Sequence, residues 1–337
     1  MARIHRISGS TKYLLNGIKP INGKKPATLE ELHHLHSHHE EILVETRIII
    51  TRQQDEKILE LSNSESQLEQ ELQIGIVQRT QEVDRGINEL NDKVNTAGNF
   101  VTKTVCRIHC WIAVSFRNHN IHHPFSRKVR VLHNIQYNKR KQIENKPSVI
   151  THECNNIVRS YEFLKNNESF LIGADGEEYV MNILSQLPDE YHVINDVNLY
   201  FQKAIHWRER NEYIKNCQID HIVVGPTGII LVETKNWKAS DIELKSDNLT
   251  HQVRRASLAL WYYLKDYYQR GSSPKIQNVI VSMKGSPTGR KPDKFVDIVA
   301  PHQLCAYITS RRGQLSGDMI NRLVDLLNRS PRQYPRF

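Results

Sequence analysis

The stretch CQIDHIVVGPTGIILVETKNW, residues 217–237, decides the fold class of this 337-residue chain. Two runs rich in Val, Ile and Leu flank Gly225-Pro-Thr-Gly228, which is typical of a β-turn, so the stretch predicts a β-hairpin. One carboxylate lies in each run, Asp220 in the first and Glu233 in the second, and Lys235 follows. Because side chains alternate along a strand, Glu233 and Lys235 share a face, and the hairpin can bring Asp220 to that face.

Helical and extended segments alternate around this hairpin. Their order predicts an α/β fold, a mixed sheet with helices on its faces, and we assign residues 151–337 to this domain. The predicted helices are residues 167–187, 248–269 and 317–327, the further strands are 191–199, 275–283 and 296–300, and 201–216 is interpreted as a polar loop.

The hairpin concentrates charged groups where burial is expensive. Two carboxylates and a lysine beside apolar strand residues are costly unless something compensates for their desolvation. A divalent metal ion held by Asp220 and Glu233 would compensate, with water and phosphate oxygens as further ligands. Lys235 can then polarise a water or stabilise charge on a phosphate, as a metal-dependent nuclease requires. The alternative is a cross-strand ion pair on a solvated face, and Glu-x-Lys alone does not separate the two.

Four sequence blocks surround this chemistry. They are Gly173-Ala-Asp-Gly-Glu-Glu178, Gln218-Ile-Asp-His221, Glu233-Thr-Lys-Asn-Trp237 and Asn248-x3-Gln252. In content, order and spacing, residues 168–285 resemble the NERD (nuclease-related domain) family of the PD-(D/E)XK nuclease superfamily. The resemblance implies a restriction-endonuclease-like fold that hydrolyses phosphodiester bonds with Mg²⁺, or with Mn²⁺ in its place. Residues 1–150 resemble no family that we can name.

The resemblance also implies roles for single residues. Glu177 corresponds to a carboxylate on the first helix that adds a third acidic metal ligand or tunes the metal. Glu178 is the alternative, and the Gly-x-x-Gly-Glu spacing favours Glu177. Asp220 corresponds to the central metal ligand, Glu233 to the second ligand, and Lys235 to the catalytic lysine.

Two further positions bear on the resemblance. Gln252 corresponds to a glutamine on the following helix that supports the site. Ile219 occupies a position where proline precedes the aspartate in the superfamily motif; that proline shapes the strand and does no chemistry. Every acidic or basic group that the mechanism needs is therefore present. Basic residues near the site are candidate contacts to a phosphate backbone: Lys203, Arg208, Arg210, Arg254 and Arg255.

The net charge of +9 is unevenly distributed. Residues 98–150 hold 10 Lys and Arg against 1 acidic residue, whereas residues 1–97 carry −3 and residues 151–337 carry +3. A basic segment of this kind suits a polyanion such as nucleic acid, and the alternative is a solvated basic linker. Pro147 is expected to interrupt any helix there. The candidate nucleic-acid contacts are Arg127, Lys128, Arg130, Lys139, Arg140 and Lys141.

The N-terminal part predicts one long helix. Residues 1–27 contain three Gly and two Pro and are expected to form a flexible tail. Residues 28–97 lack proline and show apolar steps of three and four, a heptad pattern typical of a coiled coil. Such a helix would span roughly 100 Å at 1.5 Å per residue, and no single small domain covers it. We favour a homo-dimer or higher homo-oligomer through this helix; the alternative is a hairpin that turns near Ser62-Asn63-Ser64.

Composition excludes several classes of protein. No run of 18 uncharged apolar residues is present, so a membrane-spanning helix is not expected, and the N-terminus lacks the apolar region of a secretory signal. Five cysteines are too few and too unevenly spaced for a disulfide framework. We therefore expect a cytoplasmic protein with reduced thiols.

These observations lead to one favoured function and two rivals. We expect a Mg²⁺-dependent endo- or exonuclease in which the coiled coil pairs two nuclease domains and residues 98–150 hold the polyanion. Family resemblance favours DNA over RNA, and the architecture suits bacterial, plasmid or antiviral defence. The rivals are a catalytically idle nucleic-acid-binding or assembly protein and a coiled-coil sensor with a nuclease output.

Overall fold

A computed structural model describes residues 1–268, 273–284, 294–311 and 315–329, and over residues 237–249 it describes the backbone but not the side chains. The helices are α1 (Gly9–Gly17), α2 (Leu29–Thr96), α3 (Phe100–Ser115), α4 (Arg117–His122), α5 (Ser126–Asn166), α6 (Glu168–Leu184), α7 (Ala239–Leu264), α8 (Leu304–Thr309) and α9 (Gly317–Asn328). The strands are β1 (Arg3–His5), β2 (His192–Trp207), β3 (Glu212–Gly225), β4 (Gly228–Lys238), β5 (Ile276–Lys284) and β6 (Asp297–Val299).

The chain divides into two compact units. Unit 1 comprises residues 1–20, 24–39 and 159–337, and unit 2 comprises residues 21–23 and 40–158. Unit 1 carries the sheet, and the described part of unit 2 is helical. The fold is therefore mixed α/β with a long N-terminal helix, as the sequence predicts.

The sheet of unit 1 has six strands in the order β1-β2-β3-β4-β5-β6. The pairs β2–β3 and β3–β4 are antiparallel, and β1–β2, β4–β5 and β5–β6 are parallel. The predicted hairpin forms its centre, because His221 pairs with Val232 and Gly225 pairs with Gly228 at the turn.

The polar loop expected at residues 201–216 was wrong. The strands β2 and β3 continue through most of it, and Ile205 pairs with Ile214 after an irregularity that begins at Tyr200. Ile205, Trp207 and Ile214 are buried, whereas most of their neighbours are exposed. The buried positions of β2 keep one phase from Leu199 to Ile205, whereas those of β3 change phase between Ile214 and Cys217, and this change conceals the strand pair in the sequence.

Helices cover both faces of the sheet. Helices α7 and α9 pack on one face, where Ile222, Leu231 and Leu260 are fully buried. Helices α6 and α8 pack on the other face around Val223 and Val232. Because neighbouring residues of a strand point to opposite faces, Asp220 and Glu233 share the α7 face with Ile222 and Leu231.

The flexible tail expected over residues 1–27 was also wrong. Strand β1 pairs in parallel with β2, matching Ile4 with Val193, and helix α1 packs against α6. The Ser8 side chain accepts a hydrogen bond from the Thr11 N–H as the N-cap of α1. The glycines and prolines flank short elements here, and elements of three and nine residues give no measurable period in the sequence.

Unit 2 contains a helical hairpin within the chain. Helix α2 confirms the predicted long helix, with non-helical backbone dihedrals at His38. The chain does not turn near Ser62-Asn63-Ser64; instead, the segment of α5 in unit 2 runs antiparallel to α2. Three ion pairs show the antiparallel order of α2 and α5: Lys146–Asp55 at 2.5 Å, Lys139–Glu65 at 2.5 Å and Lys128–Glu71 at 2.9 Å. The pair Arg117–Asp84 at 2.6 Å continues the same order into α4.

This pairing changes the meaning of the basic segment at residues 98–150. Residues 40–158 together hold 16 Lys and Arg and 15 Asp and Glu, so unit 2 is close to neutral. The Lys128 and Lys139 side chains contact acids of α2, whereas Arg127, Arg130, Arg140 and Lys141 are exposed. Part of the charge that suggested a polyanion site therefore stabilises the helical hairpin.

The expected helix break at Pro147 was wrong. Helix α5 continues through Pro147 for 41 residues in total. A proline inside a helix costs about 3 kcal/mol, because it removes one backbone hydrogen bond and crowds the preceding turn. The pairing of α5 with α2 along its length offsets a cost confined to one turn.

We expect Gly225→Ala to lower the stability of unit 1. A Cβ atom at Gly225 would lie 2.2 Å from the Tyr191 ring, which is buried under the hairpin turn. Overpacking of this kind typically costs about 1–3 kcal/mol. Thermal unfolding measures the loss. Gly86→Ala is the matched control: nothing lies within 4 Å of its Cβ position in α2, so a higher helix propensity should leave stability equal or raised.

Candidate active site

The site lies where β3 and β4 separate. The paired ladder of these strands ends at His221 and Val232, so Asp220 and Glu233 occupy the positions just beyond it. The backbone N–H of Thr234 donates a hydrogen bond of 3.0 Å to Asp220 Oδ2. This bond fixes the carboxylate of one strand against the backbone of the next.

Glu233 is the most deeply buried carboxylate of the site, with 1% of its surface exposed. Its Oε1 accepts hydrogen bonds from Lys235 Nζ at 2.8 Å and from Gln252 Nε2 at 2.7 Å. Its Oε2 is buried and has no hydrogen-bond partner within the described part of the chain. Both hydrogen bonds to Glu233 therefore go to Oε1, and Oε2 is the oxygen that a ligand could bind.

The electrostatics of the pair favour protonation in the absence of a cation. Burial raises the pKa of Glu233 to about 8, and the nearby negative charge of Asp220 adds to the effect. Burial also raises the pKa of Asp220, against the lowering effects of the Thr234 N–H and the Lys235 ammonium. A pair of this kind binds a proton or a cation in preference to remaining doubly charged.

Glu177 is held by the N-terminal segment. Its Oε1 accepts a hydrogen bond of 2.5 Å from Ser10 Oγ, and its Oε2 accepts one of 3.2 Å from the Ser10 N–H. Glu177 is near enough to Glu233 for its charge to raise the pKa of that residue. The sequence interpretation missed Ser10 because it assigned residues 1–27 to a tail.

A second missed contact involves Asp196 on β2. Its carboxylate accepts hydrogen bonds from Lys12 Nζ at 2.8 Å, Asn198 Nδ2 at 2.8 Å and Gln218 Nε2 at 3.1 Å. Asp196 has a left-handed backbone with φ of 50°, and its negative charge adds to the raised pKa of Asp220. No motif in the sequence marks these residues.

One pocket brings several of these groups together, although Glu233 and Lys235 are not among its lining residues. Its volume is about 450 Å³, and Asp220, Glu177 and Gln252 reach it from three different elements. Its other lining residues are Gly9, Ser10, Lys12, Tyr13, Asn16, Phe170, Asp196 and Gln218.

The donor set fits a divalent metal through two residues. Asp220 offers carboxylate oxygen at the pocket and Glu233 offers its unpartnered Oε2, and oxygen donors of this kind suit Mg²⁺. Among the described residues, no group of three His, Cys, Asp or Glu side chains is arranged to hold one ion. Glu177 is therefore not part of a three-carboxylate group among these residues, and each of its oxygens accepts a hydrogen bond from Ser10.

The predicted basic contacts differ in their surroundings. Arg254 contacts Glu209 at 2.6 Å, and Arg255 contacts Glu212 at 2.6 Å, so both connect α7 to the end of the β2–β3 hairpin. The three others, Lys203, Arg208 and Arg210, are exposed on that hairpin.

We expect Ser10→Ala to reduce the activity of the site by about 10-fold. The change removes the hydroxyl donor to Glu177 and leaves only the weaker backbone contact, and loss of a supporting contact typically costs about 10–100-fold. Steady-state rates on the substrate proposed below measure the effect. Ser64→Ala, at an exposed serine of α2, is the control and should leave the rate unchanged. Equal rates for both variants would contradict a role for Ser10.

Comparison with known proteins places this geometry in a family context. Residues 172–283 match the model of the NERD family, described as a nuclease-related domain. This match confirms the sequence resemblance, and it contains Glu177, Asp220, Glu233, Lys235 and Gln252.

A relative in Bacillus anthracis, an uncharacterized protein, is 40% identical over 67 residues. The aligned part covers 20% of this chain and 27% of that protein, so the chain spans about a quarter of the length of the relative. No solved structure matches the chain significantly.

Proposed function

We propose that this nuclease-related domain hydrolyses phosphodiester bonds of nucleic acid with a divalent metal ion, Mg²⁺ or Mn²⁺, and that DNA is the substrate. The observation that carries the proposal is the buried, unpartnered Oε2 of Glu233, which lies close enough to Asp220 for the Asp220 charge to raise the pKa of Glu233, while Asp220 itself lines the pocket. A desolvated carboxylate without a partner is costly, and a cation removes that cost. The family match supports nuclease chemistry at this place.

Asp220 and Glu233 would hold the ion, which supplies Lewis-acid stabilisation of the phosphate and a more acidic bound water. Gln252 and Lys235 both donate to Glu233 Oε1, so they hold its other oxygen toward the pair. The Lys235 ammonium, which contacts Glu233, would add positive charge near a phosphate bound at this pair. In the reaction, water attacks phosphorus, one P–O bond breaks, and the products are a phosphate monoester and a hydroxyl.

Cleavage of supercoiled plasmid tests this function. We expect the wild type to nick or linearise the plasmid with Mg²⁺ or Mn²⁺ and to be inactive in EDTA. Lys235→Ala should lower the rate by at least about 100-fold, the scale of losing one electrostatic contact in an active site. Lys215→Ala, at an exposed lysine of β3, is the matched control. A folded wild type that binds DNA but does not cleave it would favour the idle or signal-gated alternative.

The substrate and the mode of cleavage form the finer part of the proposal. DNA is favoured over RNA by family resemblance alone. Parallel digestion of a DNA and an RNA of the same sequence compares the two polymers. Cleavage of a closed circle indicates an endonuclease, because an exonuclease needs a free end.

We propose a homo-oligomer in which residues 28–97 participate. The helical hairpin already covers one side of α2, and α3 adds an exposed apolar surface, with Phe100, Trp111 and Phe116 exposed by 84%, 70% and 55%. Exposed apolar patches mark sites of interaction between proteins. Light scattering on the eluted protein measures its mass: a multiple of the 39.3 kDa chain supports the proposal, and a monomer contradicts it.

The cellular location and the biological role complete the proposal. No helix among the described residues is long and apolar enough to cross a membrane. The five cysteines, all within described parts of the chain, are free thiols. We propose a cytoplasmic protein on the basis of these thiols, and a role in defence on the basis of the joined nuclease and helical parts.

A further inference from the structure

A second pocket adjoins the candidate active site. Its volume is about 340 Å³, and its cationic side chains are Arg6, Lys12 and Arg329. The single carboxylate is Asp196, so the pocket carries a net positive charge. We call it the cationic pocket. Its remaining lining residues are Val197, Asn198, Leu199, Tyr200, Tyr263, Leu327 and Asn328.

The pocket is built before any ligand arrives. Arg6 donates through Nη2 to the Leu327 carbonyl at 2.8 Å and through Nη1 to the Asp196 carbonyl at 3.4 Å. Carbonyls are neutral, so these contacts orient the guanidinium without cancelling its charge. Arg6 and Asp196 both have left-handed backbones, with φ of 66° and 50°. Such conformations are disfavoured for residues other than glycine and persist where the surroundings enforce them.

The charge of Asp196 is already shared. Its side chain is 5% exposed and accepts hydrogen bonds from Lys12, Asn198 and Gln218. The Lys12 ammonium lies 2.8 Å from this carboxylate and offsets its charge, so the pair adds little net charge to the pocket. The field inside the pocket is therefore dominated by Arg6 and Arg329.

The cationic pocket continues the candidate active site. Lys12 and Asp196 line both pockets, so an extended ligand at Asp220 can pass Lys12 and reach Arg6. Tyr200 lies on this wall and is 51% exposed. An exposed aromatic ring beside a cationic groove is the arrangement on which a base of a single strand stacks.

We propose that the cationic pocket binds a phosphate group of the substrate strand next to the phosphate that is cleaved, with Arg329 and Arg6 as its ligands and Tyr200 against the neighbouring base. This assignment rests on the proposed nuclease function. The same chemistry serves an internal phosphodiester of a continuing strand or the terminal phosphate of a 5′-end. The pocket then fixes the register of the strand over Asp220 and Glu233.

Binding of a 15-nucleotide single-stranded DNA to the full chain in EDTA tests the proposal without cleavage. The probe carries a 3′-fluorophore, and fluorescence anisotropy is recorded over a series of salt concentrations. Arg329→Gln should weaken binding about 5–10-fold and reduce the slope of log K against log salt by about 1, as loss of one phosphate contact does. Arg322→Gln, at an exposed arginine on the same helix α9, is the matched control and should bind as the wild type does.

The source of the phosphate is resolved with the same probe carrying a 5′-phosphate or a 5′-hydroxyl. An Arg329 effect that requires the 5′-phosphate indicates a terminal phosphate, and an equal effect on both probes indicates an internal one. Arg329→Lys should recover part of the affinity, because it restores the charge without the planar group. Wild-type affinity and salt slope in Arg329→Gln would overturn the assignment, as would a wild type that does not bind DNA.

These experiments distinguish a failure of the phosphate-site assignment from a failure of the proposed nuclease function. If Arg329→Gln binds normally while the wild type cleaves plasmid with Mg²⁺, the pocket assignment fails and the nuclease stands. If binding depends on Arg329 but no metal supports cleavage, the proposed nuclease fails and the phosphate site stands.

Discussion

Asp220→Asn is expected to abolish cleavage and, in the same protein, to raise thermal stability. The loss of activity follows from removal of a charged oxygen ligand, and even an outer contact of a metal site is worth about 10–100-fold. We expect a fall in rate of at least about 100-fold. The gain in stability follows because burial beside Glu233 opposes the Asp220 carboxylate, as its raised pKa shows.

The Asn side chain keeps the local structure. Its amide oxygen can still accept the Thr234 N–H bond that Asp220 Oδ2 accepts. Plasmid cleavage and thermal unfolding, both on the same preparation, measure the two effects. Asp189→Asn, at an exposed position before β2, is the matched control and should change neither. A variant that is both inactive and less stable would indicate a structural role for Asp220.

The second large effect is a pH dependence of stability that Glu233 imposes without metal. Burial raises its pKa to about 8 in the folded chain, whereas the unfolded value is about 4.3. Between these values the folded state holds a proton that the unfolded state has lost. The Glu233 contribution to stability is therefore fully present below pH 4 and is lost as the pH rises toward 8, and the total loss is on the order of 5 kcal/mol.

Chemical denaturation in EDTA at several pH values between 5 and 8 measures this slope. His221 acts in the opposite sense, because burial lowers its pKa to about 4 and its folded form resists protonation below pH 6.5. The difference between the pH slopes of the wild type and of Glu233→Gln gives the contribution of Glu233. Glu190→Gln changes a glutamate at an exposed position and should retain the wild-type slope. An unchanged slope in Glu233→Gln would contradict the assignment. Added Mg²⁺ should restore wild-type stability near pH 8, because a cation favours the ionised form.

The hairpin and its charges were predictable because their signals are local. The alternation of apolar residues and the Gly225–Gly228 turn reveal β3 and β4 within the 21 residues 217–237. Once these strands pair, the positions of Asp220 and Glu233 follow from the two-residue period. The Gln252 contact with Glu233 spans only 19 residues, and the family resemblance identified it.

The rest of the site depends on contacts between distant residues. Ser10 and Glu177 are 167 residues apart, and Lys12 and Asp196 are 184 apart. The elements that carry Ser10 and Lys12 are too short to show a period, and β1 gains its hydrogen bonds only when β2 is in place. No local pattern in residues 1–27 encodes that partner.

For the helical hairpin, the sequence predicts the long helix α2 but not the segment that pairs with it. Heptad spacing reveals the long helix α2 but does not specify which chain segment covers it. The acids of α2 and the bases of α5 complement each other, yet the charge count assigned the bases to nucleic acid. Only the order of pairs, with Asp55 opposite Lys146 and Glu71 opposite Lys128, shows that the two segments pack antiparallel.

Calorimetric titration of Mn²⁺ into the wild type at pH 7 tests whether Asp220 and Glu233 together bind a divalent ion. If Asp220 and Glu233 form a metal site, the ion must displace the proton of Glu233, and the measured heat will vary with the ionisation enthalpy of the buffer. We expect the wild type to bind Mn²⁺ with release of close to one proton per chain, and the Asp220→Asn, Glu233→Gln double variant not to bind it. Binding that persists in the double variant, or a wild type that binds no divalent ion, would contradict this assignment.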